Sequence, residues 1–405
     1  MQDITNAQAA GLDVDRLERI TRHINEKYIT PGKIAGCQIQ VSRKGITAYS
    51  KTFGLMDRER AKPLQDDTIF RIYSMSNPMT SVALMMLYEK GLFQLSDPVH
   101  RFIPSWKNQR VYVSGEGEAL ETKEPNTPIT MRQILSHSGG LSYGATRHPV
   151  DQVYKKLKIR NDKEETLATF VDKLSRVPLR FEPGEGWMYS LSTDVCGYLV
   201  EVISGMPFDE YLKTEIFEPL AMIDTSFDIA EDKISRLAAN YQRRPDKSLG
   251  LFDDPENSTY SDEKKFYSGG GGLLSTTHDY RLFCEMLRQG GELNGVRLLG
   301  SRTLKLMTMN HLKGGKSLYE LAVGIFSETA YEGIGFGLGF AMTIDQKETG
   351  SLSREDYYWG GAASTVFWVD PLEDLIVIFM TQLMPSQTFD FRGQLKNIVY
   401  SAIVD

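Results

Sequence analysis

Short segments rich in apolar residues and bounded by polar turn residues occur near both ends of the chain, and this pattern predicts β-strands. The predicted strands are residues 34–42, 46–53, 364–369 and 375–381. A turn at 43–45 joins the first two strands as a hairpin. An amphipathic helix over 13–28 precedes them, and a final helix over 391–403 follows the last pair. Both ends of the chain are therefore expected to contribute antiparallel strands and a helix.

The middle of the chain has a helical period instead. Helices are predicted over 80–89, 165–175 and 193–204. We therefore predict an α/β fold of the α+β type, in which residues 1–75 together with 255–405 form an antiparallel sheet flanked by terminal helices. Residues 76–254 would form an inserted, mainly helical lobe, with the active site in the cleft between the two lobes.

Composition and charge limit the range of functions that the chain could have. The 405 residues carry a formal net charge of -7, without the basic excess of a nucleic-acid binder. The three cysteines are far apart and predict reduced thiols rather than disulfides or a metal cluster. The start of the chain lacks the features of a signal peptide, and no apolar run is long enough to span a bilayer. We expect a cytoplasmic protein without a metal, cofactor, membrane or nucleic-acid partner.

Ser74 lies at the predicted start of a buried helix. An apolar stripe follows over 79–87, and Pro78 suits the first helical turn. A helix start offers N–H groups and a positive dipole end, which both stabilise a developing oxyanion. Asn77 comes three residues later, on the same helical face. On this evidence alone, a serine at such a position is more often an N-cap.

Two later segments contain further candidate chemistry. Tyr189 follows a Pro-Gly turn, and a tyrosine near a nucleophile can act as general base if a neighbouring cation lowers its pKa. Most tyrosines in such places are packing residues. Gly360 and Gly361 follow Trp359 within a strand pattern, which indicates a close approach to the backbone and a second oxyanion donor. A bulge explains the two glycines equally well.

Taken in order, these segments resemble the serine β-lactamase and penicillin-binding-protein superfamily, whose signature is Ser-x-x-Lys, Ser-Asp-Asn and Lys-Thr-Gly. The sequence is most similar to the family VIII carboxylesterases and the related acyltransferases of statin biosynthesis, in which Trp-Gly-Gly, as at 359–361, replaces Lys-Thr-Gly. Residues 129–141, 189–205 and 268–275 resemble the same branch. The resemblance extends over about residues 12–400.

The resemblance implies a role for each motif. Ser74 would be the acyl-accepting nucleophile, and Tyr189 would be the base and later the acid for the leaving group. The backbone N–H groups of Ser74 and Ala362 would form the oxyanion hole. Trp359 and the two glycines after it would line the pocket. The fold would be that of a β-lactamase.

Asn77 is the main departure from this pattern, because it stands where the motif has lysine. A lysine ammonium would lower the tyrosine pKa, and a lysine amine could take the serine proton. Asn77 can hydrogen-bond but can do neither. Losing a general base typically costs on the order of 10²–10⁴ in rate. Because Tyr189 and the glycines are intact, an engineered replacement is favoured over a natural loss.

Two further departures concern the pocket. Leu191 stands where the class C enzymes have asparagine, and Trp359 replaces the lysine that pairs with the β-lactam carboxylate. With both polar anchors replaced by apolar groups, an uncharged ester fits better than a penicillin. The polar stretch 113–128 predicts a long loop, and with Tyr143 and Tyr358 it is a candidate for shaping the pocket.

The sequence thus predicts a serine carboxylesterase that cleaves a small-molecule ester through an acyl-Ser74 intermediate and is impaired by Asn77. Three alternatives stay open: an acyltransferase on the same scaffold, a non-catalytic protein that binds a small acyl ligand, and a β-lactamase or D-amino-acid peptidase. A Ser/His/Asp mechanism is disfavoured, because the one Gly-x-Ser-x-Gly match, at residues 140–144, lies outside the predicted strands and helices, whereas a nucleophile elbow joins a strand to a helix. His137 is interpreted as structural support for its own turn.

Overall fold

The computed structural model describes residues 6–162, 164–324 and 329–405. The α-helices in these ranges are α1 Val14–Ile24, α2 Ser76–Glu89, α3 Met131–Leu135, α4 Pro149–Lys156, α5 Leu167–Leu174, α6 Ser192–Ser204, α7 Phe208–Leu212, α8 Thr277–Arg288, α9 Ser301–Met307, α10 Leu318–Leu321, α11 Gln346–Thr349 and α12 Phe391–Tyr400. The strands are β1 Gly36–Arg43, β2 Ile46–Asp57, β3 Lys62–Pro63, β4 Phe70–Arg71, β5 Val111–Ser114, β6 Glu121–Lys123, β7 Asn240–Arg243, β8 Leu249–Asp253, β9 Leu274–Ser275, β10 Glu292–Leu293, β11 Val296–Arg297, β12 Ile334–Phe336, β13 Ala341–Thr343, β14 Tyr357–Gly360, β15 Val366–Asp370, β16 Leu375–Thr381 and β17 Leu383–Met384.

Strands from both ends of the chain form one eight-stranded sheet in the order β12-β13-β14-β15-β16-β1-β2-β3. Every neighbouring pair in this sheet is antiparallel. The two ends meet at its centre, where Cys37 to Arg43 of β1 pair with Thr381 to Leu375 of β16. The structure therefore confirms the predicted antiparallel sheet.

Helices cover this sheet because its central strands are apolar on both sides. All seven residues of β16 are buried, and α8 packs against both β15 and β16. The terminal helices α1 and α12 pack against each other. A strand with two covered faces carries a continuous apolar run rather than an alternating one, as residues 375–380 do.

The core of the helical region is α2, which is buried from Ser76 to Leu87. Apolar residues on all sides of a helix indicate that it is enclosed, and α2 packs against both α6 and α7. The neighbouring helices α3 and α5 pack against α6 in turn. Because α2 is fixed on every side, the residues at its start are fixed as well.

Residues 113–128 do not form the single long loop that was predicted. The structure places the antiparallel hairpin of β5 and β6 there, and its register shifts between Tyr112 and Ser114. Such an irregularity disrupts the strict alternation that identifies a strand in a sequence. The loop prediction is therefore corrected for the two strand segments.

The structure bears on several other predictions made from the sequence. The helix predicted over 13–28 ends earlier, because α1 stops at Ile24 and a π-helical turn over Asn25–Ile29 follows. The three cysteines are free and buried. No helix within the described ranges is both long and apolar enough to cross a membrane. The division into lobes at residues 75 and 255 stays a prediction.

Candidate active site

Ser74 lies in a 3₁₀ turn, Tyr73–Met75, that leads directly into α2. Tyr73 has a φ of 42°, in the left-handed region that non-glycine residues rarely adopt. The turn is anchored on both sides of Ser74, because Ile72 N donates to Leu273 O at 3.1 Å before it and Tyr280 Oη donates to Met75 O at 3.0 Å after it, and Leu273 N donates to Ser76 Oγ at 3.2 Å. Strained turns that neighbours fix in this way concentrate at functional sites.

Ser74 and Ala362 both line a cavity of about 410 Å³. Aromatic side chains form much of the wall, among them Tyr73, Tyr143, Phe227, Phe252, Tyr260 and Phe266. The glycine segment 270–272 forms another part of the wall. The cavity is therefore concave and largely aromatic, as small-molecule sites usually are.

Asn77 forms hydrogen bonds through both ends of its amide. In the orientation that pairs every polar atom, Oδ1 accepts from Tyr189 Oη at 2.8 Å and from Trp359 Nε1 at 3.3 Å. The Nδ2 group donates to Gly270 O at 3.0 Å. The structure thus brings Asn77, Tyr189 and Trp359 together, although they are far apart in the sequence. An amide oxygen that accepts the phenolic proton favours neutral Tyr189 over its phenolate.

Tyr189 is buried within a group of aromatic rings. Its ring is 5.7 Å from that of Tyr143 in a stacked arrangement, 5.2 Å from Trp359 and 4.9 Å from His137. Phe336 packs edge-on against Trp359 at 5.3 Å. These contacts fix the ring of Tyr189, so that its hydroxyl is held beside Asn77.

Gly361 allows two backbone segments to come together. A Cβ atom on Gly361 would lie 2.4 Å from Ile72 O and 2.3 Å from Thr365 Oγ1, so any larger residue would force them apart. Ile72 directly precedes the turn that contains Ser74. The predicted close approach to the backbone is therefore confirmed, and it places Ala362 near Ser74.

Two predicted pocket residues lie elsewhere. Tyr358 is next to Trp359 on β14, but its hydroxyl contacts Thr329 Oγ1 at 2.7 Å, and Arg392 of α12 lies over its ring at 4.4 Å. Successive strand residues point to opposite faces, so Tyr358 and Trp359 cannot both face the cavity. Leu191 is buried at the start of α6, where its N–H donates to Ser142 O. Neither residue is among the described residues that line the cavity, and the same holds for Tyr189, Trp359, Gly360 and Gly361, so that Ser74, Tyr143 and Ala362 are the predicted site residues in its wall.

Gly360 also differs from Gly361 in its surroundings. A Cβ atom there would lie 2.9 Å from Nη2 of Arg392, on the side of the sheet that carries α12. Both glycines border a second cavity of about 300 Å³ on that side. The glycine pair therefore separates the Ser74 cavity from α12.

His137 supports the wall beside Tyr189. Its φ is 55°, and Ser190 N donates to its Nδ1 at 3.3 Å, so that Nε2 carries the proton and points to Thr193 Oγ1 at 3.4 Å. Burial lowers the pKa of His137 to about 3. The imidazole is therefore neutral at physiological pH, and its hydrogen bonds agree with the structural role predicted for it.

The neutral state of His137 makes stability depend on pH. Its folded pKa lies below the unfolded value, so the unfolded chain binds the extra proton first as the pH falls from about 6.5 toward 3. Its contribution is complete above pH 6.5, and we expect about 2 kcal/mol to be lost by pH 5. Urea unfolding at pH 7.5 and 5 measures the loss, and His137→Asn should remove it. If His137→Asn loses as much unfolding free energy between pH 7.5 and 5 as the parent does, the prediction is wrong. His278→Asn, at an exposed position, is the control and should behave like the parent.

Sequence reasoning missed the charged residues of the cavity. No motif marks them, since they come from the segment 160–165, the end of β8 and Lys264, which are far apart in the sequence. Each charged side chain in the wall has a partner of opposite charge: Arg160 with Asp194, Asp162 and Glu165 with Lys173, Asp253 with Arg71, and Lys264 with Asp228. Asp162 and Glu165 share the single Lys173, so the charges of the wall are all partnered but leave one negative charge in excess. In the described ranges, no group of His, Cys, Asp and Glu side chains could hold a metal ion.

Comparisons with known proteins agree with this fold. The Beta-lactamase family model matches residues 17–399. Protein Rv1367c of Mycobacterium tuberculosis is 29% identical over 89% of this chain and 88% of its own length. Esterase EstB of Burkholderia gladioli is 26% identical, with 92% of each chain covered. The structure of EstCE1, a hydrolase with promiscuous acyltransferase activity, superposes with a TM-score of 0.78 at 25% identity, over 98% of this chain and 99% of that one.

The match over nearly the whole chain and the antiparallel sheet with its helical region define a β-lactamase-like protein. The chain belongs to the Beta-lactamase family. Its relatives include esterases as well as an acyltransferase, calJ of Penicillium decumbens. The resemblance predicted from the motifs is therefore confirmed at the level of family and fold.

Proposed function

We propose that this chain is a serine carboxylesterase whose acylation step is slowed by Asn77. The observation that supports this most directly is the arrangement at the start of α2. Ser74 and Ala362 line one cavity, and Asn77, one helical turn after Ser74, hydrogen-bonds to Tyr189. These contacts support a site in which Ser74 would be the nucleophile, Ala362 an oxyanion donor and Tyr189 the general base.

In the proposed reaction, Ser74 Oγ attacks the ester carbonyl and gives its proton to Tyr189. The N–H groups of Ser74 and Ala362 stabilise the tetrahedral oxyanion. The alcohol then leaves with the proton from Tyr189, so that an acyl-Ser74 ester remains. Water attacks this ester, which releases the carboxylic acid and restores Ser74. Asn77 slows the first step, because it stabilises neutral Tyr189 rather than the phenolate.

The wall of the cavity favours an uncharged substrate. Trp359 is fully buried where a β-lactamase would present lysine to a carboxylate, and the charged residues of the wall already have partners. An anionic substrate would compete with these pairs and leave a charge uncompensated. A neutral ester with an apolar acyl group fits the aromatic wall without that cost.

Acyl transfer to an alcohol is a second candidate. It would use the same acyl-Ser74 intermediate and differ only in the acceptor. The structural similarity to EstCE1, a hydrolase with promiscuous acyltransferase activity, favours this alternative. Product analysis distinguishes the two, because an added alcohol would yield a new ester in place of the free acid.

Intact mass after incubation with p-nitrophenyl butyrate tests the proposal. We expect the parent chain to gain one butyryl group slowly, and a tryptic digest to place it on Ser74. Ser74→Ala should gain none, whereas Ser301→Ala, which removes an exposed hydroxyl at the start of α9, should still be acylated. If Ser74 stays unmodified while the protein binds the ester, the chain is a non-catalytic acyl-binding protein instead.

A further inference from the structure

Arg160 occupies the wall of the Ser74 cavity in a strained backbone conformation. Its φ is 61°, a value that non-glycine residues rarely adopt. The backbone N–H of Arg160 donates to Glu165 Oε2 at 2.7 Å, which holds the loop in this conformation. A relaxed loop would point the side chain of Arg160 elsewhere. The strained conformation therefore fixes the position of this side chain in the cavity wall.

Two contacts orient the guanidinium of Arg160. Nη1 donates to Tyr143 Oη at 3.3 Å, and Cζ lies 5.7 Å from the centroid of the same ring. Asp194 Oδ2 lies 3.9 Å from Nη1. Asp194 also accepts hydrogen bonds from Ser268 Oγ at 2.6 Å and Gly270 N at 3.1 Å. The carboxylate thus holds the arginine while it shares its own charge with two further donors.

Tyr143 connects this cation to Tyr189. Their rings stack at 5.7 Å with an angle of 26° between planes. Burial opposes the charge on Arg160, but its interactions with Asp194, Tyr143 and Tyr189 outweigh that effect and raise its pKa above the ordinary value. Arg160 therefore stays protonated beside the stacked pair at every pH at which the protein is folded.

We propose that Arg160 is a positioning residue that acts through Tyr143 on Tyr189 and supplies part of the positive charge that Asn77 lacks. Its charge favours the phenolate of Tyr189, the form that takes the proton from Ser74 Oγ and returns it to the leaving alcohol. This inference rests on the proposed function, since it assumes that Tyr189 is the base.

The other titratable groups around the ring pair do not take this role. His137 contacts Tyr189 but is neutral, because burial lowers its pKa to about 3. Asp194 is the nearby carboxylate, and its charge has the opposite effect on a phenolate. Lys264, the other cation in the cavity wall, pairs with Asp228 and lies over the ring of Tyr260, whereas Arg160 lies over the ring of Tyr143 that stacks on Tyr189.

The pH dependence of Ser74 labelling tests this role. A fluorophosphonate phosphonylates a nucleophilic serine and releases fluoride, so intact mass gives the rate at each pH. In Arg160→Gln we expect the midpoint of the pH profile to rise by about 1 unit, and labelling at pH 7.5 to slow about 10-fold. Arg160→Lys keeps the charge and should restore most of the rate. Exposed Arg176→Gln is the matched control and should match the parent.

Tyr143→Phe is a second variant with a milder change. It keeps the stacked ring but removes the hydroxyl that orients the guanidinium, so we expect a smaller shift of the profile in the same direction. Because the ring is retained, this variant serves even if Arg160→Gln does not fold, which thermal melting would reveal.

The possible outcomes separate this inference from the proposed function. If Ser74 labelling in both Arg160→Gln and Tyr143→Phe has the same pH profile as in the parent, Arg160 does not have the proposed role, even if the labelling rates change. The esterase proposal is not affected by that result. If the parent is never labelled but Asn77→Lys is, Arg160 does not compensate for the missing lysine and the inference is wrong. If neither protein is labelled at Ser74, the proposed function fails as well.

Discussion

Asn77→Lys is expected to accelerate acylation of Ser74 by on the order of 10²–10⁴-fold, the usual contribution of a general acid-base group. The amide oxygen of Asn77 now accepts the proton of Tyr189 at 2.8 Å and so stabilises the neutral phenol. A lysine ammonium at this place would stabilise the phenolate instead, and a neutral amine could accept the proton of Ser74 itself. The burst of nitrophenol from p-nitrophenyl butyrate measures the change.

Asn77→Met is the matched control for this substitution. Methionine approaches the length of lysine but carries no charge, so it separates the effect of charge from that of filling space. Both variants lose the acceptor for Trp359 Nε1, and we expect each to be slightly less stable than the parent. Equal rates in Asn77→Lys and Asn77→Met would show that a cation at position 77 does not assist this site.

The side chain of Asn77 connects several parts of the site. Its amide joins α2, the glycine segment at Gly270, and the aromatic pair of Tyr189 and Trp359. Lysine could replace the donor to Gly270 O but not the acceptor for Trp359. Asn77, which would impair the proposed chemistry, thus completes a neutral hydrogen-bond network. Buried polar groups are expected to have all their hydrogen bonds satisfied in this way.

The sheet could be predicted from the sequence because its signals are local. Residues 375–381 form a continuous apolar run between turns, and the hairpin of β1 and β2 has a short polar turn between two strand patterns. Ser74 could be located because an apolar helix and Pro78 follow it. These features depend on neighbours within a few positions, so a pattern along the chain is sufficient to detect them.

The surroundings of the site could not be predicted in the same way. Tyr143, Arg160 and Asp194 come from three separate segments, and only the tertiary fold brings them together. The placement of Tyr358 depended on strand alternation, which a motif of adjacent residues does not take into account. The motifs thus identify which chemistry is available, while the long-range contacts determine which charges act on it.

Tyr189→Phe, introduced into Asn77→Lys, is expected to lower the acylation rate by about 10²–10⁴-fold. Phenylalanine keeps the ring contacts with Tyr143, Trp359 and His137, so the wall of the cavity should be preserved. Only the hydroxyl that exchanges a proton with Ser74 and the leaving alcohol is lost. Using the faster background ensures that a loss of this size can be measured.

Tyr198→Phe is the matched control, because Tyr198 lies on α6 and its hydroxyl has no part in the proposed reaction. It should react as fast as its parent. Thermal melting of both phenylalanine variants distinguishes lost chemistry from lost structure. If Tyr189→Phe keeps the full rate while Ser74→Ala has none, the lysine itself takes the serine proton. In that case Tyr189 would only position the lysine. Asn77 would then stand in place of the general base itself, rather than in place of a group that lowers the pKa of the base.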